Sequence, residues 1–111
     1  MSRLYKILAA AEWDEAVARG RFDGSAVDLR DGYIHLSDDG QAQETAARHF
    51  RGQEGLVLVA FEEGALGPAL RWEPSRGGAP FPHLYGPLDP GLAQEVRPLG
   101  LDAEGVPDLR L

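Results

Sequence analysis

Hydrophobic and polar positions divide the chain into short elements of two kinds. Leu4 to Leu8 has the two-residue period of a strand, with Tyr5 and Ile7 on one face and Leu4, Lys6 and Leu8 on the other. Ala10 to Arg19 then takes up the helical period: Trp13, Ala16 and Val17 form an apolar stripe and Gly20 is the stop. Phe22 to Asp31 reads as turn-rich, punctuated by Gly24 and the Asp31-Gly32 pair. Tyr33 to Ser37 predicts a second strand. Asp38 and Gln41 have the spacing of a capping box, and Ala42, Ala46, His49 and Phe50 fall at helical spacing before Gly52 closes the element. Leu56 to Phe61 is an unbroken apolar run of strand length, the pattern of a strand covered on both faces.

The later half is nearly all strand and loop. Leu70 to Glu73 predicts a short strand with Arg71 and Glu73 on one face and Leu70 and Trp72 on the other. Pro74 to Pro82 holds three prolines and two glycines, which predicts an irregular loop of the kind that often covers a site. His83 to Tyr85 reads as a further strand stopped by Gly86-Pro87. Glu95 to Leu99 reads as an edge strand, because Pro98 would damage a central one. From Gly100 onward the tail reads as irregular. Strands and helices mix without regular βαβ alternation, so the expected class is α+β: a curved or split, mixed or antiparallel sheet with two helices from the first half. One domain over residues 1–111 is expected, with its core at about 4–99.

Composition narrows the function classes. Eleven Lys and Arg against 18 Asp and Glu give a net charge of -7, which disfavours generic nucleic-acid binding, although Arg71 and Arg76 could hold one phosphate locally. With no cysteine there is neither a disulfide framework nor a thiolate metal site. The longest apolar runs, Ile7 to Ala11 and Leu56 to Phe61, are far too short to span a bilayer. Glu12, Trp13 and Asp14 interrupt any signal-peptide reading. A cytoplasmic protein without a membrane partner is the expectation, monomeric or weakly dimeric through the edge strand at Glu95 to Leu99.

Two of the three histidines lie in similar segments, Ile34-His35-Leu36-Ser37 and Pro82-His83-Leu84-Tyr85. Alternation places His35 with Ser37 on one face and His83 with Tyr85 on one face. Two imidazoles can divide acid and base roles, which makes His35 and His83 the catalytic candidates, with Glu73 to orient a hydroxyl or stabilise a developing cation. Arg71 or Arg76 can clamp a phosphate. Phe81 and Tyr85 can stack on a flat ring, and Lys6 and Ser37 complete the binding candidates. Plainer roles stand beside these. Ser37 also fits a cap of the second helix, Lys6 a side chain reaching out from an edge strand, Arg71 and Glu73 a surface ion pair, and Tyr85 a core aromatic. His49 fits the border of the core, and Trp13 and Trp72 fit the core itself. A metal held by His35, His83 and Glu73 is a further option, without the close spacing that would support it.

Tyr5-Lys6-Ile7, Trp13, Gly32-Tyr33-Ile34-His35-Leu36-Ser37, Gln41, Trp72-Glu73 and Phe81-Pro82-His83-Leu84-Tyr85-Gly86-Pro87 resemble the bacterial family known as domain of unknown function 952, from about residue 4 to residue 99. The resemblance implies a remote kinship with ADP-ribosyltransferase-like folds, whose split sheet holds a nicotinamide dinucleotide, and hence a cleft that binds NAD or an ADP-ribose-like nucleotide. By that resemblance the three strand motifs would be Tyr5-Lys6-Ile7, the His35 segment and the His83–Tyr85 segment. Lys6 stands where family members often carry histidine. The second motif offers histidine where an aromatic is expected, and the third has no carboxylate at its centre, so the resemblance implies binding without deciding for a reaction. Two other readings remain open: a phosphoesterase with two His-x-hydroxyl motifs acting on a small nucleotide, and a non-catalytic ligand-binding module.

Overall fold

In the computed structural model, which describes residues 2–111 with Arg76 in its backbone alone, the chain runs β1 (Arg3–Ala9), α1 (Ala10–Arg19), α2 (Ala26–Asp31), β2 (Ile34–His35), α3 (Ala42–His49), β3 (Leu56–Glu62), β4 (Leu70–Ser75), β5 (Ala79–Leu84), β6 (Ala93–Pro98), β7 (Gly100–Leu101) and β8 (Pro107–Asp108). The class is α+β, and every strand pairing among the described residues is antiparallel, so the mixed alternative drops out. The strands form two three-stranded sheets, β1-β3-β6 and β2-β5-β4, and a small β7-β8 hairpin.

The apolar run at Leu56 to Phe61 becomes the middle strand of the first sheet. Both of its faces are covered. Val57, Val59 and Phe61 join Leu4 and Leu8 of β1 in a core that also holds Trp13, Ala16, Ile34, Leu36 and Leu84. Leu56, Leu58 and Ala60 join Tyr5 and Ile7 in a second core against Ala42 and Ala46 of α3 and Leu109. Lys6 shares its strand parity with Leu4 and Leu8 and so lies on the face turned toward the second sheet.

Residues 34–37 join the two sheets. Ile34 and His35 pair with Leu84 and His83 of β5. Two residues on, Ser37 has left that sheet and exchanges backbone hydrogen bonds with Tyr5 of β1, at 2.8 and 3.0 Å. The split in the sheet therefore opens beside His35 and Lys6.

Several expectations are corrected. The first half carries three helices, because part of the turn-rich stretch folds as α2: Ser25 and Asp28 form a reciprocal capping box, and Gly32 ends the helix in the left-handed region at φ 89°. The proline-rich segment is not a loop. β4 runs on to Ser75 and β5 begins at Ala79, with Pro74 opposite Pro80 and Pro82 opposite Trp72. The Pro82 carbonyl faces residue Leu36 on the other side, so these alternate positions owe no N–H to the β4–β5 ladder. The tail is also ordered against the body. The Gln43 amide donates to the Pro107 carbonyl and its oxygen accepts from Leu109 N–H, which seats Leu109 in the second core. Trp72 is 39% exposed, not a core residue, and its indole N–H donates to Glu63. Trp13 is buried as expected, and β6 is indeed an edge strand.

Candidate functional site

His35 and His83 are direct partners in the β2–β5 ladder. Side chains of facing residues project to the same side of a sheet, and here the ring centroids stand 5.7 Å apart. Tyr33 joins them, stacked on His83 at 4.0 Å and 27° and tilted against His35 at 4.6 Å. The three rings line a cavity of about 580 Å³ that also reaches Lys6, Ser37, Thr45, His49, Phe50, Phe81, Ser75, Arg30 and Asp31. That volume is within the range of about 300–1,000 Å³ common for small-molecule sites.

Each imidazole is held from behind by a carboxylate. His35 Nδ1 lies 2.7 Å from Asp28 Oδ1, and His83 Nδ1 lies 2.8 Å from Glu73 Oε1. An ionised carboxylate accepts only, so each Nδ1 carries the donating proton. The two then differ. His35 Nε2 lies 3.0 Å from Asp31 Oδ2. Among the described residues the hydrogen-bond partner of the His83 ring is Glu73, at Nδ1.

The other predicted residues divide between the cavity and its surroundings. Lys6 is buried, where a side chain reaching into solvent was an alternative. Its ammonium donates to Asp28, 2.8 Å from Oδ2, and to the His35 carbonyl. Ser37 is buried too, and its hydroxyl meets Thr45 Oγ1 at 3.0 Å; it does not cap α3, whose N-cap is Gln41. Phe81 lines the cavity. Glu73, Arg71 and Tyr85 lie outside the lining: Glu73 Oε1 also accepts from the Tyr85 hydroxyl at 2.7 Å, and the Arg71 guanidinium lies 5.5 Å from the centre of the Tyr85 ring. Tyr85 is half-exposed and thus no core aromatic. The Arg76 side chain lies outside the described residues. His49 is exposed and lines the cavity, where a place at the core border was expected. The described residues hold no group of three His, Asp or Glu placed to ligate a metal.

The sequence reading missed Asp28, Asp31 and Tyr33 beside the histidines, and Arg30, Thr45, Phe50 and Ser75 in the cavity wall. The signal for Asp28 was Ser25-x-x-Asp28, a capping-box spacing with an acid in third place. Tyr33 belongs to the same alternation as His35 and Ser37, two residues before the histidine.

Residues 7–96 match the family described as "Protein of unknown function (DUF952)". The chain belongs to the DUF952 family. It is 62% identical to protein CC0527 from Caulobacter crescentus, whose X-ray crystal structure covers 96% of this chain, and 94% of that one, with a TM-score of 0.94. The solution NMR structure of CC0527 matches at 62% identity with a TM-score of 0.87, over 96% of this chain and 92% of that one. A comparison with curated proteins finds no match.

Electrostatically, the centre of this DUF952 site is Asp28. Burial pushes its carboxyl up, but the hydrogen bond from His35, the charge and hydrogen bond of Lys6 and the Ser25 N–H overcome that and hold it at about 2. Gly24 makes room for it, since a Cβ there would stand 2.8 Å from Asp28 Cβ. Burial draws the Lys6 ammonium below its ordinary value while Asp28 pulls it back up. With donors arriving from Lys6, His35 and Ser25, the carboxylate form of Asp28 is secure. Glu73 is lowered by its hydrogen bonds from His83 and Tyr85. No helix among the described residues is long and apolar enough to cross a membrane.

Proposed function

We propose that the cleft at the sheet split binds a small nucleotide-like ligand of the NAD or ADP-ribose class. The observation that carries this reading is the facing pair of carboxylate-backed histidines, 5.7 Å apart, in the wall of one cavity of about 580 Å³. Tyr33, Phe50 and Phe81 give that cavity flat apolar surface for a base or nicotinamide ring. Ser75 adds a hydroxyl-bearing side chain to the same wall. Arg30 and His35 bring N–H donors to the cavity wall, both facing Asp31, and donors of this kind suit an anionic group.

The histidine pair also supports a second reading, a two-histidine phosphoesterase acting on a small nucleotide. With Nδ1 fixed as donor, His83 Nε2 is an acceptor in the neutral ring and fits a general base. Against it, the hydroxyls paired with the histidines are engaged elsewhere, Ser37 by Thr45 and Tyr85 by Glu73.

Thermal unfolding of the protein with and without NAD, ADP-ribose and cyclic nucleotides tests the binding. The expected result is a rise in Tm with one of them, lost in His83→Ala and His35→Ala. No rise with any of them overturns the reading. Release of free nicotinamide from NAD, or opening of a cyclic phosphate, then separates chemistry from binding alone.

A further inference from the structure

The arrangement around His35 Nε2 points to an anion subsite that the chain itself occupies. Asp31 Oδ2 lies 3.0 Å from His35 Nε2, and Asp31 Oδ1 lies 3.0 Å from Arg30 Nε. All three side chains line the cavity. We propose that Asp31 holds the place of a ligand's phosphate or carboxylate, and that an anionic ligand binds by displacing Asp31 and taking over His35 and Arg30. The proposal rests on the reading of the cleft as a ligand site and adds to it the position of the anionic group and the residue that gates it.

Three features favour a placeholder over a fixed structural link. Asp31 is the last residue of α2, where the free carbonyls of a helix disfavour a negative charge. Its side chain is 29% exposed, in contrast to 1% for Asp28, so it can leave without abandoning a buried partner. His35 stays in position without it, because Asp28 grips Nδ1 and Lys6 donates to the His35 carbonyl. In the protonated ring both nitrogens donate, so the Nε2–H that Asp31 would release already lies in the cavity wall. Among the described residues the carboxylate on the His83 ring is Glu73, at Nδ1, so the plug is specific to the His35 side.

Titration calorimetry with AMP and with adenosine, on the unaltered protein and on Asp31→Asn, provides the test. The two probes share a base and ribose and differ in the phosphate. Asp31→Asn keeps the shape and removes the charge, and its unfolding midpoint checks that it folds. The expected result is tighter binding of AMP by about fivefold, the scale of a partly exposed charge pair, with adenosine unchanged. Unchanged or weaker AMP binding in the variant overturns the gate and leaves the cleft reading standing. Equal tightening of AMP and adenosine overturns it too, since Asp31 would then act on something other than the anion. A variant that does not fold makes Asp31 a structural link and ends the proposal. AMP binding to neither protein overturns the subsite, and NAD and ADP-ribose failing as well removes the cleft reading with it.

Discussion

His35 and His83 begin from the same local pattern, face each other in one ladder and present the same nitrogen to a carboxylate, yet their surroundings are built differently. The His35 side is an interior network: Asp28 is nearly sealed from solvent and receives Lys6, His35 and the Ser25 and His35 backbone N–H groups at once. The His83 side inverts this. There the imidazole is buried, at 4% exposure, and the carboxylate that orients it, Glu73, is in contact with solvent together with Tyr85. One histidine is thus fixed by a buried charge that the fold needs. The other is fixed by a carboxylate that the fold can lose. If so, stability should reside on the Asp28 side, and function can be altered on the Glu73 side without unfolding the protein.

Asp28→Asn makes the largest break. It leaves the Lys6 ammonium buried without its counter-charge, and a broken buried pair costs about 3–5 kcal/mol. The denaturant midpoint should fall accordingly. Glu73→Gln should leave the midpoint nearly unchanged and show itself in ligand affinity, through the orientation of His83. Equal loss of stability in the two variants would erase the distinction between the two sides.

Acid gives the same comparison without a mutation. The Asp28 carboxyl is held at about 2, below its ordinary 3.8. A lowered folded-state value means stability that is fully present above the unfolded value and is lost as pH falls toward the folded one. The window therefore runs from roughly pH 4 or 5 down to 2, and a shift of this size is worth about 2 kcal/mol. Unfolding midpoints measured across that window should drop for the unaltered protein and lose most of this slope in Asp28→Asn. A slope that persists in the variant would place the acid sensitivity elsewhere.

How far these two sides could be read from the residues follows from their range. Leu56 to Phe61 announced itself because a strand covered on both faces is apolar at every position, and α1 because Trp13, Ala16 and Gly20 keep to a local helical rule. The meeting of His35 and His83 followed from two similar segments that both alternate. Asp28 was invisible because its partners lie 22 and 7 residues away in the chain, and a six-residue helix held by its cap has too little apolar periodicity to stand out from turns. Lys6 looked exposed for the same reason: only the fold supplies its counter-charge. The β4–β5 hairpin was misread because prolines break a ladder only where an N–H is owed, and register decides that. Trp72 was misassigned because β4 is an edge strand and its outer positions meet solvent.

Tyr33 lies between the two sides and touches both rings, so it should couple them. Tyr33→Ala removes three ring contacts, with His35, His83 and Tyr85, and aromatic pairs are worth about 1 kcal/mol each beyond the area they bury. A drop in Tm with loss of any ligand-induced rise is expected, while Tyr33→Phe should keep both. If Tyr33→Phe also loses the ligand response, the hydroxyl is a ligand contact and stacking is the lesser part of the role.

Arg71 should have the smallest effect, and its smallness is the informative part. It faces His83 directly in the β4–β5 register, yet its guanidinium lies over the exposed Tyr85 ring, 5.5 Å from its centre. An exposed contact of this type is worth about 0.5 kcal/mol, so Arg71→Ala should scarcely move the unfolding midpoint. Its charge is among the weaker influences that lower the Glu73 carboxyl, behind the hydrogen bonds from His83 and Tyr85. Carboxyl titration by NMR should therefore show Glu73 moving slightly back toward its ordinary value in Arg71→Ala, and further in Tyr85→Phe. The opposite order would make Arg71 the group that sets Glu73, and through it His83, and would bring the His83 side closer to the Asp28 side, where the charge of Lys6 acts beside the hydrogen bonds.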